Sequence, residues 1–507
     1  MVARDGIEPP TPAFSGPRST TELSGLGGPK ELLPLKLNLS LQRQASARPG
    51  QQLRISNKRQ YSNRLAARKC GRVPLYSAFT LQKQRMRIVL SSFGTLGDIH
   101  PLIALGLELQ RRGHLPVLAV PELFRPKIVS LGLEFAPVGP ILDPEDNQLV
   151  AMLMDIRKGT ERTLREILFP AIRQSYRELL AAVEAKGGAD LMLAGELVYQ
   201  APIVAEVTGI PWASYVLAPL SFFSRYDAPV LPPYPMLARL QPALPGMGRV
   251  IARFARWVTR SWPEPIYQLR SELGLGRGPD PIFEAKHSPY LVLAMFSPLL
   301  GEPQPDWPAS TKVTGFVFYD GDASDLPPAL EHFLQQGPPP LVFTLGSAAV
   351  LDAGDFYQQS ALAAGLIDQR AVLLVGSDPR NVAHEVPQNV CVANYAPYSR
   401  LFPRASVLIH QGGVGTTAQA LRSGKPMLVM PYSHDQPDNA RRVRRLGVAR
   451  VIRRRRYTAE LAARKITLLL ENAAIQQRAA RIGEHLRSED GLKAACDALE
   501  ALGKGRA

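Results

Sequence analysis

From residue 86 onward the chain alternates short apolar runs with stretches of helical periodicity, and after one interruption the same alternation begins again. Apolar runs of four to six residues bounded by turn residues read as strands buried on both faces, and the longer periodic stretches as helices covering them. Strands are expected at residues 87–92, 115–120, 190–194, 212–217 and 290–295, with helices at 101–112, 161–185 and 199–208. A segment rich in Asp, Gly and Pro follows at 320–328. The second series has strands at 341–345, 371–375, 390–393, 406–409 and 427–430, with helices near 355–369, 416–423, 436–446 and 458–470. Strand-helix alternation of this kind builds parallel sheets, so the expectation is an α/β chain with two parallel-sheet halves, 86–325 and 326–507. No repeat of 20 to 50 residues is evident, and a last helix at 492–502 is expected to fold back on the first half.

The unusual residues are not scattered. Gly94-Thr95-Leu96-Gly97-Asp98 follows the first strand, while Gly346-Ser347, Tyr395-Ala396-Pro397, residues 410–417 and residues 432–436 each follow a strand of the second series. Open α/β sheets bind ligands at the carboxyl ends of their strands. Two sheets with those edges face to face would enclose one cleft. The run His410-Gln411-Gly412-Gly413-Val414-Gly415-Thr416-Thr417 leads from a strand into a helix, where glycines admit a close ligand and the first helix amides favour an anion such as a diphosphate. By spacing alone a purely structural tight turn fits this run equally well. It is not a Walker loop, whose Gly-x-x-x-x-Gly-Lys-Ser/Thr spacing is missing.

The 410–417 run, followed by Ala420-Leu-Arg-Ser-Gly-Lys-Pro426 and Pro431-Tyr-Ser-His-Asp435-Gln436-Pro-Asp-Asn-Ala440, resembles the donor-binding signature of the UDP-glycosyltransferase family with the GT-B fold. The resemblance extends to Leu341-Val-Phe-Thr-Leu-Gly-Ser347, Tyr395-Ala-Pro-Tyr398 and Ser92-Phe-Gly-Thr-Leu-Gly-Asp98-Ile-His-Pro101, and so covers residues 86–485. Within the family, Gln304-Pro-Asp-Trp-Pro308, Thr314-Gly-Phe and Asp355-Phe-Tyr357 look most like bacterial rhamnolipid rhamnosyltransferases, with sterol and antibiotic glucosyltransferases nearby. The resemblance implies two Rossmann-like domains facing a central cleft, with the acceptor held by the first and the nucleotide sugar by the second. It implies that His410 and the glycine turn (Gly412, Gly413, Gly415, Thr416) hold the diphosphate with Ser347 opposite, and that Asp435 and Gln436 bind sugar hydroxyls. Tyr395 stands where relatives lay an aromatic ring beside the base, although its ring could equally pack into a core. Ala418 replaces the ribose-binding glutamate of the plant enzymes.

An alcohol attacking an anomeric carbon needs a group to accept its proton, and Asp98 is the candidate base with His100 as its helper. The alternative is structural: Asp98 complements a helix N-terminus and His100 caps it ahead of Pro101. The implied reaction is inverting transfer of a hexosyl group from a UDP- or dTDP-activated sugar to a hydroxyl of a hydrophobic acceptor. Phe222, Phe223, Tyr226, Trp257 and Trp262 are expected to line the acceptor pocket. A sugar-nucleotide epimerase of the same fold is the rival, and a basic binding protein the remoter one.

Charge excludes little until it is divided. Residues 1–85 hold 15 Lys/Arg and 4 Asp/Glu, and the remainder 45 against 40, so the basicity that suggests nucleic acid lies mostly in a tail. No nucleic-acid partner is therefore expected. The tail's composition predicts disorder, and its opening, Gly6-Ile-Glu-Pro-Pro-Thr-Pro, resembles a conceptual translation of structural-RNA DNA, so the expected native start is Met86. Cys70, Cys391 and Cys496 lack metal or disulfide spacing, which fits the cytoplasm. Asp320-Gly-Asp322 imitates a metal motif but falls in the expected linker, and no metal or other cofactor is expected. The arginine-flanked helix at 249–262 and the nine arginines from Arg441 to Arg456 read as an acceptor-pocket cover and a solvated face respectively. A peripheral contact with the inner membrane face is the alternative for both.

Overall fold

The computed structural model describes residues 85–143, 146–240, 246–321, 325–383 and 386–505. The expected tail, apart from Arg85, lies outside them, as do Cys70 and Asp322. The first sheet has seven parallel strands: β1 (Arg87–Ser91), β2 (Leu115–Val120), β3 (Glu134–Pro137), β4 (Leu191–Gly195), β5 (Trp212–Val216), β6 (Val292–Ala294) and β7 (Thr311–Val313), in the order β3-β2-β1-β4-β5-β6-β7. The second has six: β8 (Leu341–Thr344), β9 (Ala371–Leu374), β10 (Val390–Ala393), β11 (Val407–His410), β12 (Met427–Val429) and β13 (Ala449–Val451), in the order β10-β9-β8-β11-β12-β13. All registers are parallel.

Central strands are buried on both faces, so alternate residues feed different cores. Ile88 and Leu90 pack with Leu102 and Leu105, while Val89 packs with Ile172 and Leu179 on the other side. In the second sheet Phe343 and Leu373 face one layer, and Val342 and Leu408 the other. The latter layer also takes in Phe296 and Phe316 from the first half, so apolar packing is continuous between the halves.

Three edge strands, β3, β7 and β13, escape the sequence reading. Each is only partly buried, so none presents a continuous apolar run. The helix expected at 161–185 is broken: a π-type turn, Thr163–Leu168, ends at Phe169-Pro170, where proline has no N–H to donate, and the helix resumes as Ile172–Glu184. A further correction bears on the site. The first helix starts at Leu96, a turn before Pro101, because Thr95 and Asp98 form a capping box that nucleates it earlier.

The last helix, Gly491–Lys504, lies against the first, with Cys496 and Leu499 in the same core as Leu102 and Leu105. Arg112 bridges to Asp497 (2.6 Å) and Glu500 (3.4 Å). The helix Gln436–Arg445 ties the halves together elsewhere. Asp438 accepts from Val230 N (2.9 Å), and the buried Arg442 bonds Asp438 (2.6 Å), Asp227 (2.5 Å) and the Leu300 carbonyl (3.2 Å). The expected solvated arginine face therefore needs correcting, since Arg441, Arg442 and Arg445 all reach across to residues 227–228 or 300. Among the described residues no helix is long and apolar enough to cross a membrane.

Candidate active site

Each sheet has one point where the strand order changes direction, between β1 and β4 in the first and between β8 and β11 in the second. Loops leaving neighbouring strands there diverge to opposite faces and open a crevice. Residues 92–98 and Glu196 leave the first switch point, and residues 345–347 and 411–415 leave the second. The two crevices face each other closely. A methyl built on Gly415 would stand 3.8 Å from the Gly97 Cα, so the N-termini of the helices Leu96–Arg111 and Val414–Ser423 meet across the cleft.

These two helix ends differ in a way that assigns their roles. The first is occupied by its own side chains: Thr95 Oγ1 accepts from Gly97 N (3.2 Å), and Thr95 N donates to Asp98 Oδ2 (2.7 Å). The second begins at Gly413, which has no side chain to cap it, so its leading amides remain open to an anion. Gly412 adopts φ +88°, and a side chain there would meet Val429 at 2.8 Å. Gly346, at φ +67°, leaves room for the Gln411 carboxamide, whose Nε2 also reaches Thr416 Oγ1 (3.4 Å). Gln411 Oε1, Thr417 Oγ1 and Asn439 Oδ1 are buried around this turn without partners.

Electrostatics sets the acids apart. Burial, together with the charge of Glu196, pushes Asp98 up to about 6 against the opposing Thr95 hydrogen bonds. Burial also lifts Asp435 to about 7, with the charges of Asp98 and Glu196 adding to it. The charge of Asp98, from the first half, thus reaches Asp435 of the second across the cleft. Glu196 is itself fixed by Ser221 Oγ (2.6 Å) and by the buried Lys286 (2.9 Å). The sequence reading missed Glu196, although its place after β4 follows the strand-end rule that picked the other residues. Asn439 was also missed. It donates to Asp435 Oδ2 (2.7 Å) and to the Gly412 carbonyl (3.0 Å), and its spacing four residues after Asp435 on a helix was the available signal.

The remaining expected residues divide. Gln436 is buried, its carboxamide oxygen accepting from Tyr432 N (2.9 Å), which leaves its NH2 as the donor end. Ser347 is exposed in the turn after β8. Tyr395 is 65% exposed, which removes the core-packing alternative. Thr416 lies buried in the first turn of its helix. His410 is the clearest departure. It is buried, its Nδ1 accepts from Gly412 N (3.1 Å), its Nε2 faces Met427 Sδ (3.5 Å), and burial lowers it to about 3. A neutral imidazole so engaged shapes the turn and carries no positive charge. His100 does not join Asp98; its Nε2 lies 3.0 Å from Lys127 Nζ and its ring 5.2 Å from that of Tyr319, with burial and Lys127 lowering it to about 4.

Residues 360–502 match the family model described as the C-terminal domain of erythromycin biosynthesis protein CIII-like proteins. O-mycaminosyltylonolide 6-deoxyallosyltransferase of Streptomyces fradiae is 32% identical over 430 residues, covering 83% of this chain and 98% of the relative. The chain belongs to the glycosyltransferases of the GT-B fold. A sterol 3-beta-glucosyltransferase of Arabidopsis thaliana is 25% identical to this glycosyltransferase, covering 82% of it and 68% of the plant enzyme. In solved structures the fold recurs in a spinosyn forosaminyltransferase (TM-score 0.62, 19% identity, 83% of this chain and 100% of that one) and in a glycosyltransferase from Streptomyces nogalater (TM-score 0.58, 21%, 83% and 100%). The glycosyltransferase takes its sugar from a nucleotide sugar.

The aromatic residues expected on the acceptor side divide between core and surface. Phe222 stacks on Trp307 (4.1 Å) within the core, Phe223 packs edge-on to Phe283 (4.8 Å), Trp262 packs against the core beneath β1, and Tyr226 and Trp257 are exposed. Aromatic side chains bury wherever apolar area is available, so their presence in the first half was a poor guide to the pocket. A small recess at the ends of β1 and β4, with a cavity volume of about 10 Å³, is lined by Phe93, Val138, Pro140, Leu168, Ile172 and Tyr199, among others. Asp320 is engaged by Arg422 (2.8 Å) and Gln419 (3.1 Å), and among the described residues no three potential metal ligands cluster.

Proposed function

We propose that the glycosyltransferase moves a hexosyl group from a UDP- or dTDP-activated sugar to a hydroxyl of a hydrophobic acceptor, with inversion and without a metal ion. The observation that carries the reading is the meeting of a self-capped helix end bearing Asp98 with a bare helix end at Gly413. In a single displacement the acceptor oxygen bonds to the anomeric carbon while the bond from that carbon to the phosphate oxygen breaks. Asp98 takes the hydroxyl proton, and the nucleoside diphosphate leaves with the electron pair onto the amides at the start of the Val414–Ser423 helix. Asp435 and the Gln436 NH2 orient the sugar, Ser347 closes the phosphate side, and Tyr395 lies beside the base. Two neighbouring structures hold thymidine diphosphate, which supports including thymidine among the bases. The names of relatives acting on O-mycaminosyltylonolide and on sterols support a bulky apolar acceptor.

The test is a matrix of UDP- and dTDP-sugars against lipid, sterol and polyketide alcohols, read as nucleoside diphosphate release and product anomeric configuration. Release that depends on an added alcohol, with an inverted product, is expected. Interconversion of the sugar without any alcohol, as an epimerase would give, refutes the reading.

A further inference from the structure

The helix Met247–Thr259 has a side that nothing in the transfer site uses. Between residues 247 and 263 there are four arginines and no Asp or Glu. Gly248, Ile251 and Ala255 are buried toward the first half's core, and Gly248 lies so close to the Arg225 carbonyl that a side chain would not fit. At 100° per residue the outward surface consists of two adjoining rows. One holds Arg249, Arg253, Arg256 and Arg260, and the other Val250, Phe254 and Trp257. Val250 is 57% and Trp257 61% exposed. Tyr234 packs edge-on to Phe254 (5.3 Å), which in turn stacks near Trp257 (6.2 Å), so the apolar row continues along the surface. Arg256 bonds Glu284 (2.9 Å) and Arg260 covers Trp257 (5.8 Å), while among the described residues no carboxylate pairs with Arg249, Arg253 or Arg260.

We propose that this two-row surface docks the enzyme on an anionic lipid bilayer, with Trp257 and Val250 entering the interfacial region and the arginines contacting headgroup phosphates. An exposed aromatic strip beside unpaired arginines, with no acid on the element, complements a surface that is negative outside and apolar beneath. Trp favours that boundary, and Arg can bury its stem while its guanidinium stays at the phosphates. A second copy of this chain would have to supply carboxylates facing the arginine row, and this helix has none to offer. The helix belongs to the acceptor half, so docking there would bring lipid-dissolved alcohols to the side of the molecule that receives the sugar. The docking itself stands independently of the acceptor assigned above.

The experiment is co-sedimentation of the full chain with phosphatidylcholine vesicles with and without about 30% phosphatidylglycerol. The parent protein is expected to pellet only with the anionic vesicles and to be released by high salt. Val250→Ser/Trp257→Ser keeps every charge and is expected to weaken binding at least about tenfold, as is Arg249→Glu/Arg253→Glu. Nucleotide affinity should be unchanged in both, which shows that the fold is intact. A parent that ignores phosphatidylglycerol, or a Val250→Ser/Trp257→Ser variant that binds undiminished because attraction resides elsewhere in the basic chain, overturns the proposal. A concentration-dependent dimer that Trp257→Ser dissolves would assign the surface to a second copy instead.

Discussion

Replacing Asp98 with Asn removes the proposed base and relieves an electrostatic cost at the same position. Catalysis by a positioned base contributes on the order of 10²- to 10⁴-fold, so kcat/KM should fall by about that factor while nucleotide binding survives. In the parent, a carboxylate at about 6 is ionised in only about a tenth of molecules at pH 5, so the rate should climb about tenfold from pH 5 toward a plateau above 7. Stability should move the other way. The folded carboxyl sits above its ordinary 3.8, so the fold binds the proton more tightly than the unfolded chain does. That stabilisation is complete below about pH 4 and is lost as the pH rises through 6. The shift corresponds to about 3 kcal/mol, which partial exposure reduces to about 1–2 kcal/mol. Asn carries no charge and keeps an oxygen for the Thr95 N–H. Asp98→Asn should therefore melt above the parent at pH 8 and level with it at pH 4, as measured by paired thermal unfolding. A variant that keeps more than a tenth of parental turnover, or that melts below the parent at pH 8, would refute the reasoning.

Arg442→Met should destabilise the fold by about 3–5 kcal/mol, because the buried Asp438 is left without its cation and Asp227 keeps only Arg445. Denaturant titration reads this, and adding Asp438→Asn should recover part of the loss. Tyr395→Ala should leave the melting temperature within about a degree of the parent while weakening nucleotide affinity about two- to tenfold by calorimetry, since an exposed ring contributes little to the core. Transfer should proceed undiminished in EDTA. Loss of activity that manganese or magnesium restores would show that the helix amides do not stabilise the leaving group alone.

How much was legible beforehand differs between elements. Strands inside a sheet, such as β2 and β8, were readable to within a residue of their observed bounds because a doubly buried strand must be apolar along almost its whole length. β3, β7 and β13 were not, since their side chains are only partly buried and form no continuous apolar run. Asp98 was found by its position after β1, yet its raised pKa depends on burial and on the charge of Glu196, neither of which a local pattern records. His410 was read as a phosphate ligand because a histidine beside a glycine turn has that chemistry available. Only the packed structure shows its Nδ1 held by Gly412 and its Nε2 against Met427.

The sequence alone determined the two wound sheets, the strand ends that carry the unusual residues and the glycine turn proposed to hold the donor. Those follow from periodicity and chain geometry within a few residues. Tertiary structure decided which helix end is already capped and which is bare, which acids share a field, and which arginines bind the halves together rather than face water. These are properties of pairs brought together from hundreds of residues apart, such as Asp98 with Asp435 and Asp227 with Arg442, and a linear pattern contains no record of their distance.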